Sequence, residues 1–210
     1  MNDETAARGR SVLHVGCGRK TLADLPRSFL DEGWREIRLD IDPAVDPDEV
    51  GTITDMSAIA TESVDALFSS HNIEHVFPHE VPEVAEEFYR VLKPGGFAVV
   101  TCPDLEAVAA ALLEKGLCAP LYQSEQGPVT ALDIIYGHIP AVKSGRTYMA
   151  HKTGFTFALL DEVLRTSGFP HVGLVRRPPE FDLWAVAAKT SDASLDMTEL
   201  FDRYTFVRVR

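Results

Sequence analysis

Val12–Leu13–His14–Val15–Gly16–Cys17–Gly18 is an apolar run that stops in a Gly-x-Gly turn. Its side chains give it the look of a buried strand, and the turn after it carries almost no side chain. Roughly 20 residues past the turn, Leu39–Asp40–Ile41–Asp42 sets acids at the end of a second apolar segment. A buried strand, a bare turn and an acid on the next strand form a socket for a nucleoside. The turn lets a ligand approach the backbone, and the acid accepts from ribose hydroxyls.

Outward from that stretch, strands are predicted over 11–15, 35–39, 50–53, 64–69 and 97–101. A helix is predicted over 22–30, with Pro26 as an irregularity and Gly33 beyond its end. Over 80–92 the apolar positions Val81, Val84, Ala85, Phe88, Val91 and Leu92 keep helical spacing, and acids occupy the other face. Lys93–Pro94–Gly95–Gly96 breaks that helix. Asp104 caps the next one, over 105–115, which Gly116 closes. Thr156 caps a helix to Thr166, and strands over 171–176 and 183–188 lie close enough in sequence to pair antiparallel at one sheet edge. Strands alternating with helices imply an α/β fold with a doubly wound, seven-stranded, mostly parallel sheet.

Residues 117–154 break the rhythm. They are too long for a plain connection and rich in Gly, Pro, Tyr and His, so a helical lid insertion is expected, with a short helix over 129–136. The predicted organisation is a flexible arm over 1–10, a domain over 11–190 with the lid or acceptor insertion at 117–154, and a polar tail over 191–210. The weak alternation over 204–210 could add a strand or meet a partner.

Charge and cysteine content narrow the classes. With 32 acids against 20 lysines and arginines the net charge is −12, which disfavours nucleic acid and anionic membrane as partners. Three cysteines, Cys17, Cys102 and Cys118, make no disulfide framework and no metal-ligand spacing. No apolar run approaches the roughly 20 residues that span a bilayer. A cytoplasmic chain, monomer or homodimer, acting on a small-molecule acceptor is the expectation.

The nucleoside follows from what the turn lacks. A dinucleotide site wants Gly-x-Gly-x-x-Gly, and here the third glycine position holds Thr21. S-adenosyl-L-methionine (SAM) carries no phosphate and asks for backbone proximity, an acid for the ribose and polar contact for the adenine. Asp40 supplies the first acid and Asp55 a candidate for the adenine amino group. Loop capping before proline at Asp40 and Asp42, and a helix cap at Asp55, are the plain alternatives.

Leu13–His14–Val15–Gly16–Cys17–Gly18 resembles the glycine motif of class I SAM-dependent methyltransferases, in which the position of His14 is often acidic. Leu39–Asp40–Ile41–Asp42 resembles that family's ribose-binding strand end, and Thr54–Asp55–Met56 its adenine-binding turn. Val64–Asp65–Ala66–Leu67–Phe68–Ser69–Ser70–His71–Asn72–Ile73–Glu74–His75–Val76 is similar to the fourth strand and the Glu-His start of the next helix. Tyr89–Arg90–Val91–Leu92–Lys93–Pro94–Gly95–Gly96 is similar to the turn before the fifth strand. The resemblance covers 12–101 in order, with weaker support over 156–189. It implies a Rossmann-like methyltransferase fold with SAM held by Gly16, Cys17, Gly18, Asp40, Ile41, Asp55, Met56 and His71. Within the family, small methyltransferase-domain proteins that modify sugars or small metabolites look most alike.

His71–Asn72–Ile73–Glu74–His75 also fits H-x-x-E-H, an inverted zinc-protease pattern with His71 and His75 on one helical face. It follows a buried strand directly, and the glycine turn would go unexplained, so no metal is assigned. Methyl transfer to a hydroxyl needs a proton acceptor, and an imidazole titrates near neutrality. His75, His138 and His151 are the catalytic candidates. The expected activity is SAM-dependent methylation of a small polar acceptor, with O-methylation favoured. The alternatives are a SAM-binding protein with other chemistry or no catalysis, and, further off, an NAD-dependent oxidoreductase.

Overall fold

The computed structural model describes residues 9–124, 127–178 and 180–208. Most of the predicted arm, residues 1–8, and the last two residues of the predicted tail strand lie outside the described residues. The strands are β1 Ser11–Val15, β2 Arg35–Asp40, β3 Glu49–Val50, β4 Val64–Ser70, β5 Leu92–Pro103, β6 Pro120–Ser124, β7 Gly127–Thr130, β8 His171–Arg177 and β9 Asp182–Ala188. The helices are α1 Arg27–Asp31, α2 Val81–Val91, α3 Leu105–Lys115, α4 Ala131–Tyr136, α5 Ile139–Lys143, α6 Phe157–Thr166 and α7 Met197–Tyr204.

Seven strands form one sheet in the order β3-β2-β1-β4-β5-β9-β8. Strands β1 to β5 pair in parallel, and β9 runs antiparallel to both β5 and β8. The expected seven-stranded, doubly wound sheet is therefore present, with its antiparallel pair at one edge.

Alternation along each strand splits the core into two layers. Leu13, Val15, Leu67 and Val100 point to the face covered by α2 and α6, where Phe88, Leu160 and Leu164 are fully buried. Val12, Phe68, Val99 and Val186 point to the opposite face, against Phe29 of α1 and Phe201 and Tyr204 of α7. Burial on both faces is why these strands read as continuous apolar runs. Each fully buried Phe or Leu contributes about 2 kcal/mol of hydrophobic stabilisation.

Five expectations change. The 22–30 helix splits into a 3₁₀ turn at Leu22–Asp24 and the short α1, because Pro26 lacks the N–H that would continue the first turn. The predicted 50–53 strand shortens to the two-residue β3; the Gly51 N–H still makes the parallel ladder bond to the Asp40 carbonyl at 2.9 Å, and a Thr52–Asp55 bridge then curls the chain away. The insertion is not purely helical. The antiparallel pair β6–β7 occupies its first part, and α4 starts at Ala131 rather than 129 because Thr130 caps it.

The tail forms α7, with no strand at 204–208. Asp196 caps it, accepting from Thr198 and Glu199, and its Phe201–Tyr204 face packs on the sheet. Among the described residues no helix is long and apolar enough to cross a membrane.

Candidate active site

A cleft of about 610 Å³ opens at the carboxyl ends of β1, β2 and β4, where ligands bind in sheets of this topology. Gly16 and Gly18 turn the chain there at positive φ, 60° and 54°. At Gly16 the turn is also crowded: a Cβ would lie 2.5 Å from the Asn72 side chain, so only glycine fits. Arg38 knits the turn to the loop beyond β2, donating to the Gly18 carbonyl at 2.7 Å and the Lys20 carbonyl at 3.2 Å. Sequence reading missed this role because an arginine on a strand reads as surface.

Asp40 is nearly buried. Its Oδ2 accepts from the Gly18 N–H at 2.7 Å and its Oδ1 from the Asp42 N–H at 2.9 Å. The carboxylate thus fixes the glycine turn against the end of β2, and each oxygen keeps acceptor capacity. Gly16, Cys17, Gly18, Asp40, Ile41 and His71 all line the cleft. Burial pushes the Cys17 thiol up to about 11, so it stays protonated at neutral pH.

Asp55 and Met56 lie elsewhere. With β3 ended at Val50, residues 51–55 curl so that Thr52 and Asp55 bridge. Asp55 faces out, accepting from the Ser57 N–H at 3.0 Å, while Met56 is fully buried. Thr52, Ile53 and Thr54 line the cleft in their place.

Asp42 contributes what the sequence hid. Its Oδ2 accepts a 2.8 Å hydrogen bond from the Tyr148 hydroxyl, and that bond holds its carboxyl below the usual range. Tyr148 comes from the insertion, so this bond draws residues 146–149 over the cleft, which Arg146 and Met149 also line. The contact spans 106 positions in sequence. No local pattern announces it.

A second cavity, about 240 Å³, lies between the insertion and the ends of β5 and β9. Tyr122, Asp133, His138, His151, Glu180 and Phe181 are among its walls, and His71 lines both cavities. His71 sits at φ 49°, a left-handed conformation uncommon for a side-chain-bearing residue, and its N–H donates to the Thr101 carbonyl at 3.0 Å. This kink, followed by a 3₁₀ turn at Ile73–His75, also keeps His71 and His75 from sharing a helical face.

The three catalytic candidates divide. His138 and His151 line the smaller cavity, whereas His75 lines the larger cleft. His75 and His151 nevertheless meet edge to face, with ring centres 4.9 Å apart. Beside both lies Glu74, which is 1% exposed. Burial pushes its carboxyl up, and His71, His75 and His151 around it outweigh that and hold it down. Burial lowers the imidazole of His151 below its ordinary value. Of the three tyrosines in the insertion, Tyr122 and Tyr148 line cavities and Tyr136 is exposed.

The larger cleft fits SAM on its own chemistry. It offers backbone turns, acceptors at Asp40 and Asp42, apolar walls at Leu39, Ile41 and Ile53, and the buried Nδ2 donor of Asn72, which has no hydrogen-bond partner.

Residues 13–100 match the family model described as a methyltransferase domain. The fold is similar to that of a SAM-dependent methyltransferase from Archaeoglobus fulgidus, at 16% identity over 87% of each chain, TM-score 0.55. It is similar also to a Burkholderia thailandensis 1,6-didemethyltoxoflavin-N1-methyltransferase, solved with 1,6-didemethyltoxoflavin and S-adenosylhomocysteine. There the identity is 16% over 88% of this chain and 72% of that one, TM-score 0.53. Against the citrinin polyketide synthase CMeT domain, at 13% identity and TM-score 0.54, the matched part is 87% of this chain and 47% of that one. No curated protein matches the chain in sequence.

Proposed function

We propose that the chain is a class I SAM-dependent methyltransferase and that it moves the methyl group to a hydroxyl of a small polar acceptor bound in the smaller cavity. The observation that carries this reading is the meeting of the two cavities at His71. A methyl donor in one and an acceptor in the other would face each other there, as in-line transfer requires.

SAM supplies an electrophilic methyl on a sulfonium; the chain supplies binding and alignment. Gly16, Cys17 and Gly18 would hold the amino-acid portion close to backbone, with Asp40 and Ile41 at the ribose. Thr52, Ile53 and Thr54 are the better candidates for the adenine side, since Asp55 and Met56 lie outside the cleft.

The acceptor is small, because about 240 Å³ falls below the roughly 300–1,000 Å³ usual for ligand pockets. Tyr122 and Phe181, stacked with ring centres 6.2 Å apart, give that cavity an aromatic wall, and Asp133 and Glu180 give it acceptors. An aromatic wall with nearby carboxylates suits a polyhydroxylated ring such as a sugar. His138 takes the hydroxyl proton. It lines the acceptor cavity at the head of α5, away from the cluster around Glu74.

Calorimetric titration with SAM and S-adenosylhomocysteine, followed by a screen of small hydroxylated acceptors for S-adenosylhomocysteine release, tests the reading. Binding of neither nucleoside at millimolar concentration would sink it. Release only with amine acceptors would move the chemistry to nitrogen.

A further inference from the structure

Glu74 is a carboxylate sealed inside the protein with neither oxygen hydrogen-bonded. Such a group is costly unless a cation or a set of donors faces it. The imidazole nitrogens at hand do not satisfy it. His71 Nδ1 stands 3.4 Å from Oε1 without hydrogen-bonding alignment, and His151 Nε2 stands 3.9 Å away.

The surrounding imidazoles are oriented for something else. His75 points Nδ1 at the Ala150 carbonyl, 3.1 Å away, and His151 points Nδ1 at the Ile134 carbonyl, 2.7 Å away. A backbone carbonyl can only accept, so in each ring the hydrogen sits on Nδ1 and the lone pair on Nε2. That tautomer, fixed by a carbonyl behind the ring, is how proteins hold histidine ligands to metals.

We propose that Glu74, His75 and His151 form a binding site for a divalent transition-metal ion of the zinc type. The three residues offer ligand atoms all within 4.8 Å of one another. Neighbouring ligands of a tetrahedral zinc stand roughly 3.4 Å apart, as bond lengths near 2.0–2.1 Å require. The Glu74–His151 pair at 3.9 Å is close to that already. Two histidines and one carboxylate leave a fourth position, and because His151 lines the smaller cavity, water or a substrate oxygen from there can complete the set.

The trio is not the one the sequence pattern suggests. His71 is left out, and His151 arrives from the far end of the insertion. Two further bonds fix that end, the N–H groups of Lys152 and Thr153 donating to the Glu74 carbonyl at 2.8 and 3.2 Å. The metal would therefore also clamp the insertion to the sheet.

The test uses the full chain, stripped with a chelator and titrated with Co²⁺ while visible d–d absorption is followed. The expected result is a one-to-one rise in tetrahedral-type absorption, displaced by Zn²⁺ and accompanied by a rise in Tm. Glu74→Gln and His151→Ala should each weaken binding at least 100-fold, and His71→Ala, which removes a neighbour of Glu74 but no ligand, about tenfold at most. Melting curves of each variant report whether it folds, and the wild-type titration decides the matter even if one does not. A wild-type protein that develops no d–d band at millimolar Co²⁺ overturns the site. So does near-ultraviolet thiolate charge transfer, which would assign the ion to a cysteine, or a band that survives both Glu74→Gln and His151→Ala. None of these readings depends on methyl transfer.

Discussion

The two cavities that meet at His71 are built in opposite ways. The larger is made of strand ends: the β1 turn, the end of β2 and the kink after β4, each placed by sheet register. The smaller is made of side chains from β6, β7, α4 and α5 set against β5 and β9, which only the folded chain brings together. Backbone geometry therefore governs the first and long-range side-chain contacts the second. Substitutions should separate the two, affinity for the nucleoside failing with one and turnover with the other.

The sharpest break is Gly16→Ala. The new Cβ would meet the Asn72 side chain at 2.5 Å while the backbone holds φ 60°, which costs a side-chain-bearing residue about 1–2 kcal/mol before any clash. SAM affinity should fall about 100-fold by titration calorimetry. The opposite break is His138→Ala, for which turnover should fall by about 10²-fold or more, as loss of a general base does, with SAM affinity within twofold of wild type. If His138→Ala instead lost SAM binding, the division between the cavities would be wrong.

Gly137→Ala probes the insertion through its backbone. Gly137 sits at φ 92° beside Ala150, and a Cβ there would press well inside contact of the Met149 carbonyl oxygen. The insertion must shift, so turnover should drop about tenfold and Tm fall, while SAM affinity changes severalfold at most. Tyr148→Phe reaches the larger cleft from the same segment. Losing one hydrogen bond to Asp42, worth about 1 kcal/mol, should weaken SAM about fivefold and speed its release in stopped-flow measurements.

The same contrast explains what the sequence disclosed. Continuous apolar runs carried the sheet, 3.6-residue spacing carried α2, and the caps at Asp104 and Thr156 carried α3 and α6, because each of these signals lies in the element's own residues. That Gly16 through Gly18 and Asp40 line a cleft was legible, since strand-end position follows from topology. That Asp55 lies outside the cleft was not, as its place depends on the Thr52–Asp55 bridge that curls the chain after β3. Tyr148 and Arg38 act through partners far away in sequence or through backbone carbonyls, which no spacing encodes. The α7 helix carried a readable signal in Asp196, Glu199 and the Phe201–Tyr204 face, but eight residues give periodicity too little length to outweigh a polar composition.

A third region, at the opposite end of the strands, sets the baseline for both cavities. Glu32 follows α1 and gathers donors from four places. Arg203 lies at 2.6 Å, Tyr204 at 2.8 Å and Trp34 at 3.3 Å, with Arg10 closing the set. Burial pushes this carboxyl up, and the four donors outweigh it and hold it down to about 2, against 4.5 ordinarily. A folded-state value below the unfolded one means the cluster's stabilisation is complete above about pH 4.5. It is then lost as pH falls toward 2, where the folded protein also takes up the proton. Partial exposure and salt screening limit the effect to about 1 kcal/mol. Glu32→Gln should therefore lower Tm by a few degrees at pH 7 and by progressively less between pH 4 and 2, because the wild type loses there what the variant never had. SAM affinity at pH 7 should not move. A Glu32→Gln protein with weakened SAM binding would mean that the α1–α7 face is coupled to the strand ends, and the larger cleft could no longer be treated as a product of local backbone geometry.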